Sequence, residues 1–305
     1  KRIAYTSLCL SLVLAACGGD GSLNTPEAKA AIQTALDSLN AATTPMSPSA
    51  PAPAPGTPPV QVPNMPFGQD AAGYELAFSD EFDNGFNTNV WNDHIWYEGS
   101  NATKNFSVEA GSLKIWPERD AAGKFFNRTI DTDGHFSQTY GYFEIEAKLP
   151  KGKGTWPAFW LTNHSTNARP EVDIMKAYAG ATGWGVTGSN GVPYPTVYGP
   201  AVWSDTDKQA GFTMVPTPDL SAGFHKYGFK WEPNKQTFYF DGKEVYSVNV
   251  SMSAPMYLLV DLWLGGISGT PDQTTPTGPN NAYEVKYVKT WKFKTSTTPA
   301  PAPAP

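Results

Sequence analysis

A two-residue hydrophobic alternation, broken every few residues by Gly and Pro, constrains this chain more than any other feature. Ser112-Leu113-Lys114-Ile115-Trp116 alternates apolar with polar, as do Tyr142 to Leu149 and Tyr227 to Trp231. Gln236 to Phe240 leads into Asp241-Gly242, a hairpin signal, and Lys243 to Val248 follows. Tyr257 to Leu264 is an apolar run ending in Gly265-Gly266, and Tyr283 to Phe293 is the last run. Side chains of a strand point alternately to opposite faces, so a period of two reads as strands with one face on a core. Many short strands, turn residues between them and no long helical period predict an all-β sandwich or jelly roll. No internal repeat interrupts it. The chain has 305 residues; about 220 of them lie in this region, which suits one domain.

The flanks read differently. Lys1-Arg2 precedes an apolar run from Ile3 to Ala16, then Cys17-Gly18-Gly19. This is a signal peptide over 1–17, too short for a membrane span, which needs roughly 20 apolar residues. Leu14-Ala15-Ala16-Cys17 resembles a bacterial lipobox, in which cleavage leaves Cys17 as a lipidated N-terminus. The alternative is an ordinary secretory signal cut near Ala16. Acyl chains on Cys17 would anchor the protein at about 0.8 kcal/mol per buried CH₂. Gly18, where an inner-membrane signal has Asp, directs the expectation to the outer membrane; the location is cell-envelope or secreted. Residues 18–72 read as a linker. A short helix over Pro26 to Asn40 starts with Thr25 as N-cap. Pro/Ala-rich Ala41 to Pro66 favours polyproline II at about 3.1 Å per residue. The domain is expected at 73–295 and a Pro/Ala-rich disordered tail at 296–305.

Composition narrows the function classes. The net charge is −6 and no Lys/Arg cluster exceeds two residues, so nucleic acid is not the partner. Both cysteines, Cys9 and Cys17, lie in the leader, so the domain has no disulfide. The four histidines are scattered without zinc spacing. Ten Trp suit a protein that stacks rings on sugar faces, although about half are expected in the core.

One hexapeptide carries chemistry: Glu171-Val172-Asp173-Ile174-Met175-Lys176. Glu171 and Asp173 share a strand face, with Val172 and Ile174 on the other. Strict alternation would turn Lys176 into the core, which is costly. A β-bulge at Ile174-Met175 would bring it round to join the carboxylates. By itself this is either a reactive face or a solvated sheet with chance charges.

Its context decides. Phe78-Ser79-Asp80-Glu81-Phe82-Asp83 comes first, then Gly141-Tyr142-Phe143-Glu144 through Thr155-Trp156-Pro157-Ala158-Phe159-Trp160-Leu161. After the hexapeptide come Phe224 to Trp231, Phe240-Asp241-Gly242-Lys243, Pro255 to Leu259 and Leu264-Gly265-Gly266. In this order and spacing the chain resembles glycoside hydrolase family 16, the laminarinase/lichenase group, over about Phe78 to Phe293. The resemblance implies a β-jelly-roll sandwich of the concanavalin A-like type, with a concave glycan-binding cleft. It implies a catalytic strand reading Glu-x-Asp-x-x-Glu, with Glu171 as nucleophile and Asp173 as the carboxylate that supports it. Position 176 matches the general acid/base. Retaining glycosidases hold two carboxyl groups about 5–5.5 Å apart, one to attack the anomeric carbon and one to protonate the leaving oxygen.

Here that position is Lys176. Two neighbouring carboxylates favour its ammonium form, which cannot deprotonate water. Losing a general acid/base costs about 10²–10⁴ in rate. Leu259, Asp261 and Trp263 alternate on one face, and Asp261 stands where family members commonly have Asn. By hypothesis it is a spare carboxylate that restores partial acid function. Trp156, Trp160 and Trp263 are candidate sugar platforms, with core packing as the alternative. The resemblance implies that Glu144 bonds sugar hydroxyls and that Tyr198 lies near a cleft position often held by His. Many members bind a structural Ca²⁺ near Glu81, the Gly111 carbonyl and an Asp on the last strand. That Asp position is Lys286, so no metal and no cofactor is expected. Three readings stay open: a retaining endo-acting β-1,3 or mixed-linkage glucan hydrolase, a non-catalytic lectin-like glycan binder, and a transglycosylase. The expected partners are a β-glucan or related polysaccharide, and a membrane through Cys17; the protein is expected to be a monomer.

Overall fold

A computed structural model describes residues 64–294 apart from 102, 167–168, 179–195 and 207. The leader, Cys17, the Ala-rich helix, the stalk before residue 64 and the tail after 294 lie outside the described residues.

Sixteen strands are labelled in chain order: β1 (Tyr74–Asp80), β2 (Phe106–Glu109), β3 (Ser112–Ile115), β4 (Arg128–Asp131), β5 (Gly141–Lys148), β6 (Thr155–Thr162), β7 (Glu171–Lys176) and β8 (Val197–Tyr198). Then come β9 (Ala201–Trp203), β10 (Gln209–Phe212), β11 (Val215–Pro216), β12 (His225–Glu232), β13 (Lys235–Phe240), β14 (Lys243–Val248), β15 (Tyr257–Leu264) and β16 (Tyr283–Phe293). Six strands form one sheet in the order β10-β9-β7-β6-β15-β4. Eight form a second, β14-β13-β12-β5-β16-β3-β2, with β1 also on β16, and β11 pairs with β8 in a two-stranded sheet. The pairings are antiparallel, and the helical segments among the described residues are short 3₁₀ turns. This is the expected all-β sandwich.

Alternation builds the core between the sheets. Phe143, Ile145 and Ala147 of β5, with Tyr227, Phe229 and Trp231 of β12, face Phe159 and Leu161 of β6 and Leu258, Val260 and Leu262 of β15. Removing such apolar surface from water is the main stabilising force, at about 25 cal/mol per Å². The intervening residues of each strand point outward, and the two sheets use them differently.

The outer face of the eight-stranded sheet is closed by the chain that leads into β1. Phe67 N–H donates to Glu144 Oε2 at 3.1 Å, and Trp291 Nε1–H donates to Asn64 O at 2.7 Å. Lys226 Nζ sits 4.9 Å over the Phe67 ring. The segment from residue 64 therefore packs on the side of the sheet where Tyr74, Tyr142, Tyr239 and Trp291 cluster. Glu144 is also corrected. The strand period put it on an outer face with Tyr142 and Glu146, but that face belongs to the eight-stranded sheet and is turned away from β7. Glu144 is buried there, accepts from Tyr287 Oη at 2.7 Å and is not brought to Glu171. Burial pushes its carboxyl up to about 7, against the pull of the Tyr287 and Phe67 donors.

Two glycines make this layer possible. A Cβ on Gly228 would lie 2.0 Å from Tyr142 Oη, so Tyr142 lies across Gly228. Gly141 has φ +111°, and its Cβ would meet the Trp291 carbonyl oxygen at 2.0 Å. Gly141→Ala is expected to cost about 3 kcal/mol or more, since overpacking and the left-handed backbone act together. Gly223, with open space around it, should tolerate Ala with little change. Urea unfolding of both variants checks this; a Gly141→Ala midpoint equal to that of Gly223→Ala would refute the packing argument.

Candidate active site

The outer face of the six-stranded sheet is lined by carboxylates and indole rings, and a bulge in β7 decides what it displays. Along β6, Phe159 is opposite Met175 and Trp160 opposite Asp173, so Ile174 has no partner. Val172, Ile174 and Met175 are all buried in the core. The extra residue turns Lys176 to the side of Glu171 and Asp173, as expected from the cost of a core lysine. Lys176 Nζ lies 3.1 Å from Glu171 Oε1 and 2.7 Å from Asp173 Oδ1. It also stands 6.0 Å from the Trp156 ring centre and 5.8 Å from that of Trp160. Burial drives the Asp173 carboxyl well above the usual carboxylate range; Lys176 opposes this and Glu171 adds to it.

The neighbouring strands extend the face in rows. Asp173, Trp160, Leu259 and Asp131 align across β7, β6, β15 and β4. Lys176, Ala158, Asp261 and Thr129 form the next row, and the small Ala158 leaves room beside the lysine. Trp156 and Trp263 are opposite each other, their rings edge to face at 5.8 Å. Trp160 is nearly buried as the floor, with Ile95, Tyr257 and Leu259, while Trp156 and Trp263 are half-exposed. Trp160 Nε1–H donates to Asp261 Oδ2 at 2.7 Å. Burial pushes the Asp261 carboxyl up to about 8, against the Trp160 hydrogen bond and Lys176. At neutral pH it is therefore largely a neutral acid, two strands from β7.

Of the residues read from the sequence, Glu171, Asp173, Lys176, Trp156, Trp160, Asp261 and Trp263 come together here, and Glu144 does not. Tyr198 is a core residue, edge to face with Tyr227 at 5.3 Å. Three residues went unread. Trp96 stacks on His164 at 4.6 Å with the rings 4° apart, His164 Nδ1 is 3.1 Å from Tyr257 Oη, and Tyr97 is 56% exposed. The adjacent aromatics Trp96-Tyr97, outside any alternating run, were the available signal.

The residues near Glu81 do not fit a calcium ion. Lys289 Nζ, not Lys286, bonds the Glu81 carboxylate, and Lys286 donates to Ser112 Oγ at 2.9 Å. A bulge in β16 between Val285 and Tyr287 accounts for the shift in which lysine reaches which group. Among the described residues, no three His, Cys, Asp or Glu side chains gather as metal ligands.

Residues 89–289 match the family model for glycosyl hydrolases family 16. The chain is 28% identical over 213 residues to the endo-1,3-1,4-beta-glycanase EglC of Rhizobium meliloti, covering 67% of this chain and 43% of that protein. It is 33% identical over 207 residues to ExsH of the same organism, also named an endo-1,3-1,4-beta-glycanase, covering 65% and 42%. The chain thus spans less than half the length of these two relatives. The solved structure of SCLam, described as a non-specific endo-beta-1,3(4)-glucanase of this family, superposes with a TM-score of 0.60 at 22% identity, covering 77% of this chain and 94% of that one. At that identity the likeness bears on the fold alone.

The burial of Asp261 has a measurable sign. A carboxyl raised from its ordinary value near 3.9 to about 8 binds its proton more tightly when folded. Its contribution to stability is present at low pH and lost as pH rises through that window. Asp261→Asn keeps an acceptor for Trp160 and cannot ionise. Its unfolding free energy relative to the parent should rise by a few kcal/mol between about pH 5 and about pH 9, at ~1.4 kcal/mol per pH unit. Urea unfolding at both pH values reads this, and a pH-independent difference would show that Asp261 ionises normally.

Proposed function

The chain belongs to the glycosyl hydrolases of family 16, and on that premise we propose that it is an endo-acting β-glucan glycanase whose hydrolysis is held back at Lys176. The observation that carries this reading is the ammonium group bridging Glu171 and Asp173 at 3.1 and 2.7 Å. The substrate class is β-1,3 or mixed β-1,3-1,4 glucan, which the names of the two Rhizobium relatives support. The paired Trp156 and Trp263 beside the carboxylates support a sugar-stacking face.

In a retaining double displacement the nucleophile attacks the anomeric carbon while the bond to the leaving oxygen breaks and that oxygen takes a proton. Water, deprotonated by the same acid/base, then releases the glycosyl group. Glu171 is the nucleophile in this reading. Asp173, its carboxyl pushed up by burial against the pull of Lys176, hydrogen-bonds Glu171 and keeps it oriented. Lys176 stands in the acid/base position. Its ammonium cannot take a proton from water, and its charge draws electron density from the nucleophile it pairs with. Glycan is bound and turned over slowly. The same ion pair favours a second reading, a lectin-like binder, because it ties up Glu171 and leaves the Trp platforms in place. The reading extends to the chain's location. The lipobox-like Leu14-Ala15-Ala16-Cys17 supports a lipid-anchored protein of the cell envelope, with a glycosidase domain carried on the Pro/Ala-rich segment.

Reducing-sugar release from laminarin and lichenan tests the proposal. Lys176→Glu should raise the rate about 10²–10⁴-fold over the parent, and Lys176→Gln, which removes the charge without supplying an acid, should not. Laminarin binding without any gain in Lys176→Glu would leave the lectin reading; no binding by either protein would end the assignment of β7.

A further inference from the structure

The eight-stranded sheet carries a buried carboxyl that the glycan chemistry does not use, and a segment from outside the sheet is tied to it. Residues 64–68 cross the outer face and meet it at four places. Trp291 of β16 donates from Nε1 to Asn64 O at 2.7 Å, and Phe67 N–H donates to Glu144 Oε2 of β5 at 3.1 Å. Lys226 Nζ of β12 sits 4.9 Å over the Phe67 ring. At the turn between β13 and β14, a Cβ on Gly68 would lie 2.7 Å from Gly242 O, so the two backbones meet with no side chain between them. Pro66, in the middle of the crossing, is buried.

Glu144 is 2% exposed, and its cationic neighbours are committed elsewhere. Lys226 Nζ pairs with Glu146 Oε2 at 2.9 Å, and Lys289, opposite Glu144 on β16, bonds Glu81. Among the described residues Glu144 forms no ion pair. Its other titratable neighbours, Tyr142 on β5 and Tyr287 on β16, are themselves kept neutral by burial. Enclosing an unpaired carboxylate is costly, so this surrounding favours the proton. The protonated carboxyl keeps both of its hydrogen bonds. Its carbonyl oxygen still accepts from Phe67 N–H, and the Tyr287 bond reverses, Glu144 Oε1–H donating and Tyr287 Oη accepting. With residues 64–68 in place, burial pushes the carboxyl up to about 7, against Tyr287, Phe67 and Lys226 and with Glu146 adding to it. With them lifted away, water reaches it and it returns toward its ordinary 4.5.

We propose that residues 64–68 are a proton-operated strap, held on the sheet while Glu144 carries its proton and released as the carboxylate forms. The docked state binds that proton more tightly than the released state. Docking is therefore strongest below the ordinary value of 4.5, weakens as pH rises through the window to about 7, and is level beyond it. Release adds residues 64–68 to the Pro/Ala-rich segment that precedes them, roughly 17 Å of extended chain. The domain then stands further from whatever holds that segment. None of these groups belongs to the β7 site, so the strap works whichever glycan reading holds.

Amide hydrogen exchange of the full chain, expressed as protection relative to an unstructured peptide, tests this. It reads the strap at Phe67 and the sheet at the amides of β5. Between about pH 4 and about pH 8 the Phe67 amide should lose protection roughly a hundredfold or more, while β5 stays protected. Glu144→Gln keeps an acceptor for Phe67 N–H and cannot ionise, so its Phe67 protection should stay level over the same range. Phe67 protection that is constant with pH in the parent, or that falls equally in Glu144→Gln, overturns the strap. A fall matched by an equal fall across β5 is unfolding of the domain and overturns it as well. The Glu144 carboxyl carbon, followed by NMR in the parent, gives a reading that does not depend on the variant folding. A titration midpoint near 7 supports the strap, and one near 4.5 ends it.

Discussion

The unpaired Ile174 is the constraint on which this face depends. Were Ile174 paired in register, the strand would alternate strictly and Lys176 would be driven into a core made of Phe159, Leu161, Val172 and Val260. Two consecutive apolar side chains turned inward cost one ladder pairing and a local bend. In exchange three ionisable groups are displayed side by side on one strand. Burial and charge then act on them together. Asp173 is too buried to ionise easily, Asp261 likewise, and Lys176 brings positive charge into a face otherwise made of acids and indole rings.

Pairing of a lysine with a carboxylate recurs on the other sheet. Lys289 reaches Glu81 and Lys286 reaches Ser112 in the region where the family resemblance implied a metal. In both places a lysine satisfies a carboxylate locally.

What was legible in the chain divides along physical lines. Period-two alternation marked Trp156, Ala158 and Trp160 as one face, and Leu259, Asp261 and Trp263 as another, because burial enforces it on every strand. The cost of a core lysine revealed the bulge. Alternation says which residues share a face but not which sheet the face belongs to, so it could not test the sugar-binding role that the resemblance implies for Glu144, which lies on the other sheet and accepts from Phe67 N–H. A bulge in β16 shifted the lysines by a register that pattern alone does not show. The 93–101 loop has no period to read, and Arg128 is held by loop carbonyls that only the folded chain brings together.

The covering of the eight-stranded sheet by residues 64–68 has a consequence for how the domain joins larger assemblies. Tyr74 is paired with Phe293, and Lys294 N–H donates to Gly73 O at 2.9 Å, so the chain enters and leaves side by side. Both ends lie on the sheet that turns away from Glu171. Polypeptide joined at either end starts from the sheet opposite the one that carries Glu171. The domain is thus a one-sided module, pluggable at its rear, which suits it to parent chains more than twice its length such as the Rhizobium relatives.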